Sequence, residues 1–253
     1  MSEFAKYPSL RNRTVLVTGG ASGIGASIVE HFATQGAKVG FIDLDITAGQ
    51  ELVKSLGADD RVHFEGADLR DIEALRHAIA NIRNALGPIT GLINNAARDD
   101  RHKIDEVTPA YWDERMATNL KHQFFAAQAV KDDMIAAGGG AIVNMSSVSF
   151  LLGQAGMPVY LTAKSAAIGL TRALARELGP SKIRVNALIP GWIMTERQIE
   201  LWLTPESEAQ LMKDQCIPEK LYPADIARMA LWLVADDSRL VTAQNFVVDG
   251  GWT

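Results

Sequence analysis

The sequence predicts an α/β fold: one doubly wound domain, with a seven-stranded parallel sheet and helices on both faces. Three observations lead there. Short, β-branched apolar runs alternate with longer helical patterns along the 253 residues, the rhythm of repeated βα units. The runs are apolar throughout rather than at every second residue, as strands buried on both faces are. The first run passes directly through a glycine-rich turn into a helix, the arrangement with which doubly wound sheets bind dinucleotides, the Rossmann pattern.

The strands are expected at 13–19 (RTVLVTG), 37–43 (AKVGFID), 61–68 (RVHFEGAD), 89–96 (ITGLINNA), 140–147 (GAIVNMSS), 183–190 (IRVNALIP) and 245–251 (NFVVDGG). Helical periodicity falls near 24–35, 47–56, 71–86, 108–137, 158–178 and 223–235. Residues 1–10 read as an extended tail. The polar stretch 196–216 breaks the rhythm, carries Trp202 and lies between a strand and the last helix, so a helical lid over the site is expected there. With no repeat, low-complexity segment or linker, 1–253 reads as a single dinucleotide-binding and catalytic domain.

Composition narrows the function. A formal charge of -5 without a basic cluster argues against nucleic acid, whose phosphates need grouped Lys and Arg. No apolar run reaches the ~18 residues of a membrane span, and no secretory signal is visible at the N-terminus. Cys216 is the only cysteine, which rules out an intrachain disulfide and a cysteine-based zinc cluster. No metal site is expected, and a reducing cytoplasm fits the cysteine count.

In VLVTGGASGIGASIVEHFA, Gly19, Gly23 and Gly25, with Ser22 and Ile24 among them, form a G-x-x-x-G-x-G turn between strand and helix. Glycine allows the tight turn and a close backbone approach to a pyrophosphate. The helix start offers free N–H groups and its positive dipole end. The second strand ends in FIDLD, placing Asp43 18 residues past Gly25, near the spacing at which an acid accepts bonds from the adenosine ribose. A carboxylate there repels a 2′-phosphate. No Arg or Lys within 19–25 offsets it and Asp45 adds charge, so NAD is favoured over NADP.

VYLTAKSAAIGLTRALARE (159–177) is an amphipathic helix that opens with Tyr160 and, one turn later, Lys164. This spacing puts both on one helical face. A free tyrosine, with a pKa near 10, is too weakly acidic to act as a base at neutral pH, and an adjacent ammonium is expected to lower it.

Thr18–Gly25 (TGGASGIG), Asn94–Ala97 (NNAA), Asn119, Ser147, Tyr160 with Lys164, and PGWIMT (190–195), in this order, resemble the short-chain dehydrogenase/reductase family over essentially the whole chain. One departure is visible: the family's usual NNAG is NNAA here, which narrows the space beside a nicotinamide. The resemblance implies that Tyr160 accepts the substrate's proton, Ser147 orients the substrate oxygen, Lys164 also grips the cofactor ribose, and Asn119 holds a relay water. It further implies that Asp68 and Leu69 hold the adenine edge, that Asn95 and Ala96 line the nicotinamide ribose, and that Pro190, Ile193 and Thr195 lie along the nicotinamide, the last two on its carboxamide. A homotetramer is also implied.

Within the family, ARDDRHK (97–103), AYWDER (110–115) and LTPESEAQ (203–210) resemble bacterial NAD-dependent aldose 1-dehydrogenases of the D-galactose, L-arabinose and D-xylose type, which form the lactone at C1. A sugar needs polar partners for its hydroxyls and an apolar face for its ring. Ser147, Ser149, Gln154, Tyr160, Trp192, Asp99, Arg101 and His102 are the candidate walls of such a site. The alternatives are a family member acting on another alcohol or ketone, for example a 3-oxoacyl thioester, and a non-catalytic NAD-binding regulator on the same fold.

Overall fold

A computed structural model describes residues 4–57 and 60–253. Its centre is a seven-stranded, all-parallel sheet in the order β3-β2-β1-β4-β5-β6-β7. The strands are β1 (Thr14–Thr18), β2 (Lys38–Asp43), β3 (Val62–Gly66), β4 (Ile89–Asn94), β5 (Gly140–Met145), β6 (Ile183–Pro190) and β7 (Asn245–Val248). The order reverses between β1 and β4, which opens a crevice at the carboxyl ends of those strands. The helices are α1 (Gly23–Thr34), α2 (Ile46–Ser55), α3 (Ile72–Leu86), α4 (Pro109–Met116), α5 (His122–Ala136), α6 (Pro158–Leu178), α7 (Glu196–Trp202), α8 (Pro205–Asp214) and α9 (Pro223–Val234).

Strand residues serve two cores in alternation. Val15, Val17, Val39 and Phe41 meet Ile28 and Phe32 of α1 and Ile226 and Ala230 of α9 on one face. Leu16, Ile42, Leu92 and Ile142 meet Ile79 of α3, Val130 of α5 and Leu174 of α6 on the other. Continuous apolar runs are the consequence of this two-sided burial. Helix starts are fixed locally: Asp45 accepts from the Ala48 amide, Asp71 from the Glu73 and Ala74 amides, and Thr195 from the Gln198 amide, each meeting an N–H that lacks an intrahelical partner. The buried Arg184 caps the other end of α9, donating to the carbonyls of Leu233, Val234 and Ala235.

Three expectations change in detail. Of the tail expected at 1–10, residues 1–3 lie outside the described residues, and the rest is not extended throughout: Pro8–Leu10 is a 3-10 turn, and Leu10 is fully buried in the core of α1 and α9, because an apolar side chain four residues before β1 has a core within reach. The single helix expected at 108–137 divides at a π turn, Ala117–Lys121, between α4 and α5. The stretch 196–216 is two helices, α7 and α8, each begun by a threonine cap.

Candidate active site

The glycine turn sits at the carboxyl end of β1, hard against the end of β4. Gly19 has φ +65°, and a Cβ on it would lie 2.7 Å from the Ala96 Cα. Gly23, at φ +53°, opens α1 beneath Thr195. A Cβ on Gly25 would lie 1.8 Å from the Gly19 carbonyl oxygen, so the helix start rests on the turn itself. Asn95 ties the two strand ends together, donating from Nδ2 to the carbonyls of Gly19 (2.8 Å) and Thr18 (3.1 Å). Ser22, the residue before α1, makes no side-chain cap. Asp43 is half-buried at the tip of β2. Its carboxylate accepts the amides of Ala21 (2.9 Å) and Asp45 (3.1 Å). A glycine cradle, an uncapped helix start and an acid beside them fit a dinucleotide. Asp68 and Leu69 follow β3 at the same sheet edge. The Asp68 carboxylate is paired with Arg70 at 2.6 Å, which holds it below its ordinary range, and Leu69 packs against the core of α3 and α5.

Ser147, Tyr160 and Lys164 converge on a cavity of about 650 Å³ at the ends of β4, β5 and β6. Ser147 follows β5, and its Oγ lies 3.0 Å from Ser149 Oγ. Lys164 is fully buried. Its Nζ donates to the Met145 carbonyl at 3.0 Å and stands 5.6 Å from the centre of the Tyr160 ring. Ser146 fastens α6 to β5 by donating to the Lys164 carbonyl at 2.8 Å. Asn119 is buried in the π turn. Its Oδ1 accepts the Arg98 amide (2.8 Å) and its Nδ2 donates to the Arg115 carbonyl (3.0 Å), so both ends of its amide hold main chain. A π turn widens the helix by one residue and leaves main-chain groups free for such bonds.

The acidity of the pair departs from the sequence-based expectation. Burial pushes the Tyr160 hydroxyl above its ordinary value, and the Asp99 charge adds to the rise. The Ser147 hydrogen bond and the Arg101 charge oppose it. Lys164 is pulled down to about 8 by burial, with Asp99 acting in the other direction. Burial of the hydroxyl, with Asp99, outweighs Ser147 and Arg101, so Tyr160 lies above its ordinary value where the helical spacing alone pointed below it.

The cavity brings together most of the residues expected to meet substrate. Ser149, Gln154, Trp192, Asp99 and Arg101 line it, as do Asn95, Ile24, Pro190, Ile193 and Thr195. His102 does not. It is buried, with its ring held against the start of α6 (Val159 amide to Nε2, 3.2 Å) and its own amide on the Gly156 carbonyl (2.7 Å), so these bonds take the side chain out of the cavity lining. The 97–103 loop and α7 are clasped. Gln198 donates to Asp99 (2.7 Å) and accepts from Trp192 Nε1 (3.0 Å), Arg197 pairs with Asp100 (3.0 Å), and the Arg101 guanidinium lies 4.8 Å over the Trp202 ring. Sequence reasoning missed Gln198, Arg197 and Trp202 as partners of this loop. The only signal was that the polar segment containing them interrupts the βα rhythm. Among the described residues no His, Cys, Asp and Glu cluster suits a metal ion, and no helix is long and apolar enough to cross a membrane.

Comparison with known proteins gives one consistent picture. A family model described as Enoyl-(Acyl carrier protein) reductase matches residues 19–253. The chain is 48% identical over 249 residues to "Probable galactose dehydrogenase GalD" of Rhizobium meliloti (strain 1021), covering 98% of this chain and 97% of that protein. It is 44% identical over 249 residues to D-xylose 1-dehydrogenase of Caulobacter vibrioides (strain NA1000 / CB15N), covering 98% of each. The crystal structure of 3-oxoacyl-[acyl-carrier protein] reductase from Brucella melitensis ATCC 23457 superposes with a TM-score of 0.91 at 33% identity, covering 100% of this chain and 98% of that one.

Proposed function

Because the chain belongs to the short-chain dehydrogenase/reductase family, we propose that it oxidises C1 of an aldose of the D-galactose, L-arabinose or D-xylose type with NAD, releasing the aldonolactone. The observation that carries this reading is the convergence of Ser147, Tyr160 and Lys164 on one polar-walled cavity at the carboxyl ends of the strands. One aldose and one oxidised coenzyme give one lactone, one reduced coenzyme and one proton. The nicotinamide, when bound, supplies the hydride acceptor.

The chain's own groups do the rest. Ser147 Oγ holds the C1 oxygen by hydrogen bonding. Tyr160 Oη takes that oxygen's proton as a general base. Burial opposes the phenolate this requires, and Ser147 and the Lys164 ammonium are the groups placed to stabilise it. Lys164 also holds the cofactor ribose. Asn119 fixes the π turn from which a water relays the proton outward. Gly19, Ser22, Gly23, Ile24 and Gly25 hold the pyrophosphate, and Asn95, Ala96, Pro190, Ile193 and Thr195 hold the nicotinamide half. Asp68 and Leu69 meet the adenine. Asp43 receives the ribose hydroxyls, and its charge supports NAD over NADP. Asp99, Arg101, Ser149, Gln154 and Trp192 meet the sugar: acceptors and donors for its hydroxyls, and an aromatic ring for its apolar face. The relatives named as galactose and D-xylose dehydrogenases support the substrate class. A cytoplasmic homotetramer completes the proposal. The single cysteine suits a reducing compartment, and Trp112, Phe124 and Ile135 leave apolar surface on α4 and α5 for a second copy.

The test is a panel of D-galactose, L-arabinose and D-xylose with NAD and with NADP, read at the absorbance of the reduced coenzyme, beside a 3-oxoacyl thioester with NADPH. Aldose-dependent NADH formation supports the reading. Turnover of the thioester alone overturns it.

A further inference from the structure

The start of α6 lacks the usual means of satisfying its first amides. Its cap residue, Met157, makes no side-chain hydrogen bond to the helix (its sulfur instead faces the Arg101 guanidinium at 3.5 Å), and Pro158 has no N–H to offer. The Val159 amide is therefore the first donor of the helix, and it lies one residue before Tyr160. It is satisfied from another part of the chain, by His102 Nε2 at 3.2 Å. His102 is held in turn from three sides. Its own amide donates to the Gly156 carbonyl at 2.7 Å, its Nδ1 lies 3.0 Å from the Asp100 carbonyl, and Tyr111 Oη lies 2.9 Å from the same nitrogen. The His102 and Tyr111 rings meet edge to face, with centres 5.1 Å apart.

These contacts fix the ring's protonation. A main-chain N–H can only donate, so Nε2 must present its lone pair to Val159. The ring proton then sits on Nδ1, where the Asp100 carbonyl can accept it. The same short loop carries Asp99 and Arg101 to the cavity wall. The Arg115 guanidinium braces it from α4 by pairing with the Asp100 carboxylate at 2.7 Å.

We propose that His102 is a positioning residue: by accepting the Val159 amide proton in its neutral, Nδ1-protonated form, it registers the first turn of α6, and so Tyr160, against the loop that presents Asp99 and Arg101 to the substrate. The proposal rests on the reading of Tyr160 as proton acceptor. The catalytic hydroxyl and the sugar-facing loop are then joined through the imidazole, beside the contact of the Arg101 guanidinium with Met157 Sδ at 3.5 Å.

Two substitutions separate this role from simple space filling. In His102→Gln the amide oxygen can take the place of Nε2. In His102→Asn the shorter amide reaches only the position of Nδ1, and the Val159 amide loses its partner. With D-galactose, L-arabinose or D-xylose and NAD, His102→Asn is expected to lower kcat by roughly 10- to 100-fold, the scale on which a small displacement of a catalytic group acts. NADH binding, followed by fluorescence, stays unchanged. His102→Gln is expected to recover most of the lost kcat. A nitrogen-15 spectrum of the histidine-labelled parent protein, assigned by the resonance missing from His102→Gln, is expected to show Nδ1 protonated and Nε2 not. It needs neither turnover nor a folded His102→Asn. A protonated Nε2, a wild-type kcat in His102→Asn, or equal loss in both variants overturns the proposal. If the parent protein turns over none of the three aldoses, the proposed reaction fails. If Tyr160→Phe abolishes turnover while His102→Asn does not, only the positioning role fails.

Discussion

Lys164 Nζ lies 5.6 Å from the centre of the Tyr160 ring and donates to the Met145 carbonyl at 3.0 Å. The bond to β5 anchors the cation, so it stays on the tyrosine's face of the helix rather than extending toward solvent. Burial around the pair raises the tyrosine and lowers the lysine, so each is biased toward its neutral form. The chemistry assigned to this pair thus depends on groups that act on it at close range, and those groups are open to test.

Asp43 is both a proposed ribose acceptor and a brace of the glycine turn, through the Ala21 amide at 2.9 Å. Asp43→Ala is expected to lower kcat/KM for NAD by roughly tenfold or more, the effect of losing about 1.4 kcal/mol of binding. The loss for NADP is expected to be smaller, because the repulsion of its 2′-phosphate is removed together with the acceptor. The ratio of the two kcat/KM values is the measurement. An unchanged ratio removes Asp43 from cofactor discrimination.

Gln198 joins α7 to the site wall through Asp99 at 2.7 Å and Trp192 at 3.0 Å. Gln198→Ala leaves the Trp192 indole N–H without its acceptor and the Asp99 carboxylate with only the longer contact to Arg197 at 3.4 Å. The expected result is a rise of about 5- to 50-fold in KM for the aldose, the range set by an unmet polar group, with KM for NAD little changed. Equal effects on both KM values would place Gln198 in general stability instead.

His122 lies at the first turn of α5, fully buried, with Nε2 3.0 Å from the Ala96 carbonyl. Burial and the Lys164 charge pull its pKa from 6.5 down to about 4, against the bond to Ala96. Between these values the unfolded chain binds a proton that the folded protein refuses. Stability is therefore retained above about pH 6.5 and falls as pH drops toward 4, by on the order of 3 kcal/mol. Urea unfolding at pH 7 and pH 4.5 checks this. His122→Gln is expected to be less stable at pH 7 but to lose less on acidification than the parent. Parallel losses in the two proteins would contradict the assignment.

Much of this was legible in the sequence, for a physical reason. Two-sided burial writes each strand as an unbroken apolar run, and a tight βα turn needs glycine where Gly19 and Gly23 take positive φ. The pair at Tyr160 and Lys164 follows from helical spacing alone. What was not legible depends on distant contacts. The bond between His102 and Val159 joins residues far apart in the chain, and no local pattern distinguishes that histidine from a wall residue. The π turn at Ala117–Lys121 has no composition that separates it from the helices it divides. The acidity of Tyr160 turned on how much protein surrounds its hydroxyl, which the spacing of Tyr160 and Lys164 does not encode. Gln198 and Trp202 were hidden in a polar stretch whose sequence signals helix caps more clearly than it signals the loop it clasps.

The central claim is that the Tyr160 hydroxyl accepts the proton released from C1. Single-turnover formation of NADH by Tyr160→Phe, in the presence of saturating aldose, tests it most directly, because the substitution removes one oxygen and leaves the ring over Lys164. The account predicts unchanged NADH affinity and a rate lower by several orders of magnitude. A rate within about tenfold of the parent protein would contradict it, since the proton would then have another acceptor.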